Sequence, residues 1–183
     1  KQLSQILPAI RQHLRLSNLR GLWIDKNDCH NSEYGDPEDN YLSFVTGFMG
    51  SQGLALILMD RAYIFVDGRY TLQAAKEVDL GSFEIKNYKR KIIQEFCEEL
   101  NLKDEPIGFL STALTLEQYG FYKDLCALRA MDETCLSSLW QDRPAKKYYP
   151  ISDYPISFAG KSRDAKIQDL QMTCQKAGVD GVF

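Results

Sequence analysis

The residue best placed to bind a ligand is an arginine in the tetrapeptide DGRY, residues 67–70. This tetrapeptide follows the apolar run 62–66 and precedes a helical pattern. Such strand-to-helix junctions often present functional side chains in α/β folds, and a guanidinium can bind a carboxylate or a carbonyl through two parallel hydrogen bonds. Arg69 is therefore a candidate ligand contact. From the residues alone, the simpler interpretation is an ion pair between Arg69 and Asp67 or an acidic residue of the loop 25–40.

The segment 25–40 is a polar loop that contains six acidic residues and a single lysine. A calcium-binding loop would need a glycine at its sixth position, which is His30 here, so that pattern fails. Cys29, His30 and Glu33 are of types that bind metals, but three mixed ligands within one loop do not define a site. A solvated loop with local side-chain caps is the simpler interpretation.

No convincing catalytic set is present in the sequence. The two histidines fall in a helical pattern and in the acidic loop, so they do not form a proton relay, and no HExxH motif occurs. Ser51 lies in a glycine-rich turn, residues 47–53, but has no obvious base. The turn matches neither the dinucleotide fingerprint nor a phosphate-binding loop, so its glycines are expected to allow positive φ angles and close backbone approach. We predict no catalytic residue and no metal site in this chain.

Composition excludes several classes of protein. The 183 residues carry a formal net charge of −3, which argues against non-specific binding to nucleic acid. No apolar run approaches the length of a membrane-spanning helix, and no secretory signal is visible. The five cysteines are odd in number and lack CxxC spacing, which is typical of free thiols in a cytoplasmic protein. Because the chain starts at Lys1 and stops within an apparent strand, we expect a piece of a longer protein.

Apolar periodicity predicts strands that alternate with helices, which indicates an α/β layered domain. The runs 54–59 and 62–66 are expected to form a hairpin, which makes the sheet mixed. Asp67 is expected to cap the next helix, Gly68 to turn where a Cβ would clash, and Thr115 with Gln118 to form a capping box. The other predicted elements are helix 4–17, strand 21–24, helix 69–78, strand 83–88, helix 92–101, strand 106–110, a helix with the buried stripe Leu116, Tyr119, Tyr122, Leu125 and Leu128, and a helical turn near Trp140.

The rhythm of strands and helices breaks after the first 143 residues. Three prolines and a Lys-Lys-Tyr-Tyr tract predict a linker over 144–161. A helical pattern follows, with Ser162 as its cap and with Ile167, Leu170 and Cys174 on the face that is expected to be buried. A strand is expected over 179–183. One helix and one strand cannot bury a core. We therefore predict one domain over 1–143 and the truncated start of a second α/β domain over 162–183.

Four segments resemble the creatinase-like N-terminal domain of cytosolic Xaa-Pro aminopeptidases, which belong to the pita-bread metallopeptidases. They are HNSEY at 30–34, TGFMGSQG at 46–53, IFVDGRYTLQAAKEVD at 64–79 and WQDRP at 140–144, which is similar to the family's W-x-D-R-P linker. The resemblance implies a three-layer α/β/α domain with a mixed central sheet.

The resemblance also implies a function for the intact protein, the removal of an N-terminal residue that precedes proline. The family's metal ligands, two Asp, one His and two Glu, belong to a C-terminal catalytic domain, so two divalent ions, manganese or zinc, are implied there and none in this chain. The family's DGRY arginine contacts substrate, which assigns that role to Arg69, and the matching loop adds His30 as a weaker candidate. The implied partners are the protein's own C-terminal domain, peptides with proline in second position and a second copy in a homodimer.

Two other interpretations remain open. Pita-bread relatives without metal ligands serve as peptide- or protein-binding modules, and the sequence beyond Phe183 would decide between that role and an enzyme. The third interpretation is a phosphate- or nucleotide-binding α/β domain, which the glycine pattern disfavours. The DGRY arginine favours the aminopeptidase.

Overall fold

A computed structural model describes residues 3–182, with side chains from residue 5 to residue 182. Six strands form one sheet in the order β4-β3-β2-β1-β5-β6. The strands are β1 Gly21–Asp25, β2 Leu54–Leu58, β3 Ala62–Val66, β4 Glu84–Asn87, β5 Pro106–Leu110 and β6 Ala127–Met131. The helices are α1 Leu3–Leu16, α2 Tyr41–Thr46, α3 Thr71–Glu77, α4 Arg90–Glu99, α5 Leu116–Tyr122, α6 Thr134–Ser137, α7 Ile156–Ala159 and α8 Arg163–Ala177. Short 3-10 turns span Pro37–Asp39 and Ser111–Ala113.

The sheet is mixed because one strand runs against the other five. β2 pairs with β1 and with β3 in antiparallel fashion, whereas β1 with β5, β3 with β4, and β5 with β6 are parallel pairs. The five parallel strands therefore end at one edge of the sheet, which we call the carboxyl edge. β2 begins at that edge.

Helices cover the sheet on both faces, because its central strands are apolar on both sides. Every residue of β2 and β3 is buried, as expected for strands with a layer above and below. One core cluster contains Leu14 of α1 and Leu42 of α2. The other contains Trp23 of β1, Phe96 of α4 and Tyr122 of α5. This is the predicted three-layer α/β/α arrangement.

Local signals locate several elements correctly. The hairpin, strand 106–110 and the Thr115–Gln118 capping box are confirmed. The stripe predicted for α5 is wrong at both ends, since Leu116 is 91% exposed and Leu128 lies in β6. Side chains three residues apart drift by roughly 60° per step around a helix of 3.6 residues per turn, so a stripe of that spacing leaves the buried face.

Three elements are not predicted by the sequence: α2, α7, which lies within the predicted linker 144–161, and β6, which contains Leu128 of the predicted helical stripe. α2 is capped by Asn40, whose side chain accepts a hydrogen bond from the Ser43 N–H, and it ends at Gly47 in the left-handed conformation with φ of 79°. β6 consists largely of residues that favour helices, but it pairs with β5 along its whole length. Tertiary pairing thus overrides local propensity there.

The chain divides into two compact units between Lys146 and Lys147. In the second unit, Ser162 caps α8 through the Ala165 N–H and Gly178 ends it in the left-handed conformation, as predicted. Ile167 and Leu170 are half-exposed rather than buried. No strand occurs over 179–182, and Phe183 lies outside the described residues. None of the described helices combines the length and the apolar character that crossing a membrane requires.

Candidate functional site

The candidate site lies at the carboxyl edge of the sheet, where the segments after β1, β3 and β5 meet the glycine turn that precedes β2. Ligands of α/β sheets bind in crevices outside the carboxyl ends of the strands. The DGRY tetrapeptide follows β3, and the acidic loop with His30 follows β1. The topology therefore brings both predicted site residues to the same edge.

Arg69 is presented to solvent by a turn that Asp67 organises. Asp67 Oδ1 accepts the backbone N–H of Arg69 at 2.8 Å, and its Oδ2 accepts a hydrogen bond from Arg69 Nη2 at 2.7 Å. The Arg69 side chain is nevertheless 71% exposed, and its Nη1 donates to no residue that the structure describes. The hydrogen bond that Arg69 donates to the Asp67 carboxylate raises the pKa of Arg69 above its ordinary value. The predicted ion pair with Asp67 is thus present, and part of the guanidinium still faces solvent.

Two expectations about this turn are wrong. Asp67 does not cap α3, because the residue at the cap position is Tyr70 and no side chain caps that helix. Gly68 has no positive φ, and a Cβ built on it would meet nothing within 4 Å. The carboxylate of Asp67 is instead engaged by Arg69, two residues away, and the turn has room for a Cβ at Gly68.

The glycine turn supports the ring beside which Arg69 lies. The Arg69 guanidinium carbon is 5.3 Å from the centre of the Tyr70 ring. The Tyr70 hydroxyl lies 2.7 Å from Ser51 Oγ, and its ring packs edge-on against Phe48 at 5.7 Å between ring centres. Gly50 packs directly on the Phe48 ring, where a Cβ would overlap it. This packing agrees with the close backbone approach that the sequence predicts for the glycines of this turn.

His30 lies in the loop after β1 and is exposed. Its backbone N–H and that of Ser32 both donate to Asp28 Oδ1 at 2.9 Å, which is the local side-chain capping expected of this loop. No hydrogen bond or ion pair among the described residues joins His30 to Arg69. Glu33 adds an electrostatic attraction on Arg69. The role of His30 stays a prediction.

Asp25 joins the start of the acidic loop, residues 25–40, to α5. Its Oδ2 accepts from Gln118 Nε2 at 2.9 Å, and its Oδ1 accepts from the Asn27 N–H at 3.3 Å. Gln118 Oε1 in turn accepts from Asn27 Nδ2 and from the N–H of Thr115, both at 2.9 Å. Burial raises the pKa of Asp25 to about 6. Gln118, which belongs to the predicted capping box, therefore also binds the carboxyl group of Asp25. No local sequence pattern indicates this second contact.

A second group of side chains, the Arg143 cluster, consists of Glu38, Asp39, Tyr41, Trp140 and Arg143. Arg143 Nε donates to the Glu38 carbonyl oxygen at 2.8 Å, and its Nη2 donates to Asp39 Oδ1 at 3.4 Å. Its guanidinium carbon lies 5.1 Å from the centre of the Tyr41 ring and 6.0 Å from that of Trp140. Glu38 is buried, with 4% exposure, which corrects the expectation of a wholly solvated loop. The WQDRP segment was the signal in the sequence for this cluster.

The described residues do not fit a metal centre, since no group of three or more His, Cys, Asp or Glu among them could hold an ion. All five cysteines are free thiols. Burial raises the pKa of Cys97 to about 12 and that of Cys135 to about 11. These two thiols therefore stay protonated near neutral pH, which disfavours both metal binding and nucleophilic chemistry.

The Creatinase/Prolidase N-terminal domain family matches residues 7–136, so the chain belongs to that family. Its fold is similar to that of X-prolyl aminopeptidase from Caenorhabditis elegans, a cytosolic enzyme with a di-nuclear active site, with a TM-score of 0.75 and 22% identity over 98% of this chain and 32% of that chain. It also matches the aminopeptidase P of Streptococcus thermophilus, with a TM-score of 0.58 and 22% identity over 76% of this chain and 98% of that chain.

Curated relatives are considerably longer than this chain. A Probable Xaa-Pro aminopeptidase P of Ajellomyces dermatitidis is 30% identical over 181 residues, which are 94% of this chain and 29% of that relative. Aminopeptidase P1 of Arabidopsis thaliana is 29% identical over 188 residues, covering 98% of this chain and 29% of that relative. The chain thus spans less than a third of the length of these relatives.

Proposed function

We propose that this chain is the non-catalytic N-terminal domain of a metal-dependent Xaa-Pro aminopeptidase, which removes an N-terminal residue that precedes proline. The family match, the names of the relatives and the partial coverage of their length support this proposal. In this proposal a C-terminal domain, on which this chain packs, holds two divalent ions, manganese or zinc, and the di-nuclear active site of the Caenorhabditis elegans enzyme supports it. A cytoplasmic homodimer is part of the same proposal.

The domain's own contribution is Arg69 as a substrate contact. The observation that carries it is a guanidinium that is 71% exposed at the carboxyl edge while Asp67 fixes its turn. An oriented guanidinium can donate a pair of hydrogen bonds to a peptide carboxylate or carbonyl without first being ordered. Holding the peptide in this way would raise the effective concentration of the scissile bond at the catalytic groups. His30, on the neighbouring loop, is the second proposed contact.

The experiment is a kinetic comparison in the complete protein that contains this chain. Arg69→Ala should lower kcat/KM for a peptide with proline in second position by about one to two orders of magnitude, since a charge-assisted hydrogen bond contributes roughly 1.5–3 kcal/mol. Arg69→Lys should recover part of that loss, because an ammonium cannot reproduce the planar fork. Metal content should not change.

Arg61→Ala is the matched control. Arg61 is also exposed and also lies beside an aspartate, Asp60, at 3.8 Å, but it sits in the hairpin turn at the opposite edge of the sheet. Its replacement should leave kcat/KM unchanged. Equal losses in the two variants would disprove the substrate contact. A complete protein that binds such peptides but neither hydrolyses them nor holds metal would instead be a binding module.

We further propose that residues 1–143 form this domain, that 144–161 link it to the next, and that 162–183 open a second α/β domain. The support is the half-exposed state of Ile167 and Leu170 on α8. A helix that places apolar side chains on its surface requires another element to cover them.

A further inference from the structure

The acidic loop that carries His30 is organised by one of its own residues. Asp28 Oδ1 accepts the backbone N–H groups of His30 and Ser32 at 2.9 Å, and the Asp28 carbonyl oxygen accepts that of Asn31 at 3.2 Å. These hydrogen bonds join residues that are close in sequence, so they shape the loop without fixing its direction relative to the sheet. A contact with another element is needed to fix that direction.

Asn27 is the residue through which the loop reaches α5. Its Nδ2 donates to Gln118 Oε1 at 2.9 Å, and its backbone N–H donates to Asp25 Oδ1 at 3.3 Å. Asp25 Oδ2 accepts from Gln118 Nε2 at 2.9 Å. Asp25, Asn27 and Gln118 therefore close a ring of hydrogen bonds, which we call the Asp25 triad. It lies at the carboxyl edge, because Asp25 ends β1 and pairs with Leu54, the first residue of β2.

The helix cap fixes the orientation of Gln118 in the triad. Gln118 Oε1 accepts a hydrogen bond from the Thr115 N–H at 2.9 Å in addition to that from Asn27. Because the oxygen of this amide faces two donors, its NH2 group must face Asp25. Asp25 thus receives a donor on each of its two oxygens. A carboxylate offers two acceptors there, whereas an asparagine of the same shape offers one acceptor and one donor.

Stability alone gives no reason for a carboxylate at this position. Burial raises the pKa of Asp25 to about 6, although the hydrogen bond from the Asn27 N–H and the charge of Lys26 act in the opposite direction. A buried ionised carboxylate is costly even where donors surround it. The property that distinguishes Asp25 is therefore its pair of acceptors, which engage Asn27 of the loop and Gln118 of α5 together.

We infer that Asp25 is a positioning residue, whose carboxylate holds the acidic loop with His30 against α5 through Asn27 and Gln118. The inference rests on the proposed function, because it assigns this loop to the substrate site. The loop lies close to that site, since Glu33 attracts the Arg69 guanidinium electrostatically. Without the triad the loop keeps its internal hydrogen bonds but takes several directions, so that the arrangement competent for binding is less populated.

The test moves the carboxylate from one member of the triad to another. Asp25→Asn places an NH2 group against one of the two donors and should break the triad. In the double variant Asp25→Asn/Gln118→Glu, the carboxylate at position 118 still accepts from Thr115 and Asn27, and the amide at position 25 donates to it. Glutamate also suits the capping box, so the double variant should restore every hydrogen bond. Asp60→Asn, which replaces an exposed aspartate in the hairpin turn, is the control.

Opening of the loop is measured first, by trypsin cleavage of the complete protein at pH 8. The loop contains a single lysine, Lys26, and no arginine, so cleavage after Lys26 reports on this segment. Asp25→Asn should raise the cleavage rate by about tenfold, as expected when a buried donor loses its acceptor. The double variant and Asp60→Asn should be cleaved at the wild-type rate. If Asp25→Asn does not fold, Asn27→Ala replaces it with the same expectation.

Kinetics of the same variants then decide whether the loop serves the substrate site. The KM for a peptide with proline in second position should rise by about tenfold in Asp25→Asn at unchanged kcat, because bound substrate orders the loop. A merely structural defect would instead lower kcat through loss of folded protein. In a protein that binds such peptides without hydrolysing them, Kd takes the place of KM.

Three results would overturn the inference: a wild-type cleavage rate in Asp25→Asn, no recovery in the double variant, or faster cleavage with an unchanged KM. Each of them leaves the proposed function intact. Failure of Arg69→Ala to lower kcat/KM would have the opposite consequence, since it removes the substrate contact proposed for Arg69 and leaves the cleavage rates as they are.

Discussion

Arg69 and Arg143 both serve segments at the carboxyl edge of the sheet, but the two side chains are bound in opposite ways. Arg69 pairs with a residue two positions away and is 71% exposed. Arg143 reaches across 105 positions of sequence to the Glu38 carbonyl, lies beside the rings of Tyr41 and Trp140, and is 28% exposed. The first contact orders only its own turn, whereas the second joins two distant parts of the chain.

The difference separates a residue available for binding from one committed to the fold. A local ion pair in water contributes little to stability, so the guanidinium of Arg69 can exchange Asp67 for a ligand at low cost. Arg143 satisfies a carbonyl group and covers two aromatic rings, so its removal disturbs several interactions at once. The same side-chain type thus occupies an exposed position, for which we propose a substrate contact, and a structural position at one edge of the sheet.

Replacement of Arg143 should give the largest effect on stability. Arg143→Ala leaves the Glu38 carbonyl without its donor and uncovers the rings of Tyr41 and Trp140. We expect the free energy of unfolding to fall by about 2–3 kcal/mol. Arg69→Ala should change it by no more than about 0.5 kcal/mol, as surface substitutions usually do. Urea denaturation of both variants at one pH measures the contrast.

Arg143→Lys is the control for charge alone. It restores the cation but not the planar group that lies beside the rings, so an intermediate loss of stability is expected. Equal unfolding free energies for the two alanine variants would show that the Arg143 cluster does not stabilise the domain.

Asp25 should make stability depend on pH. Burial raises its pKa from 3.8 to about 6, so between these two values the folded state retains a proton that the unfolded state releases. Stability should therefore decline as pH rises from about 4 to 6 and level off above that, by about 2 kcal/mol after allowance for partial solvent screening.

The measurement is the free energy of unfolding at several pH values for the wild type and for Asp25→Asn. Subtracting one curve from the other isolates the carboxyl group, since all other titrating groups are shared. Asp60→Asn, an exposed aspartate in the hairpin turn, should retain the wild-type dependence. A difference curve that is flat between pH 4 and 7 would show that Asp25 titrates alike in both states.

The contrast between local contacts and contacts that join distant parts of the chain also explains which parts of the structure could be predicted from sequence. The hairpin and the Thr115–Gln118 box are defined by residues a few positions apart, and both are present. The signals for α2 were also local, since Asn40 and Gly47 cap its two ends. Its six residues are too few to show the apolar periodicity by which a helix is predicted. β6 had no local signal, because its strand conformation comes from pairing with β5.

The residues of the candidate site also differ in whether their partners are near or distant in sequence. Arg69 lies where a short motif predicts it, and its partner is two residues away. In the sequence, Glu38 is one acidic residue among several in a polar loop. In the structure it is buried, and Arg143 binds its backbone carbonyl from a distant part of the chain. A single sequence has no pattern that joins these two positions. The burial of one charged residue can therefore be found only from the folded chain.

The last prediction compares two glycines near Arg69, for which opposite signs are expected. Gly68 has no positive φ, and no atom lies within 4 Å of the position that a Cβ would occupy there, so Gly68→Ala should stabilise the domain by about 0.4–1 kcal/mol through the lower entropy of the unfolded chain. Gly50→Ala should instead destabilise it by roughly 1–3 kcal/mol, because the new methyl group overlaps the buried Phe48 ring. Thermal unfolding of both variants resolves the opposite signs. If Gly68→Ala also lowers the Tm, the turn that presents Arg69 requires glycine after all, and the local order of that turn is more constrained than its contacts indicate.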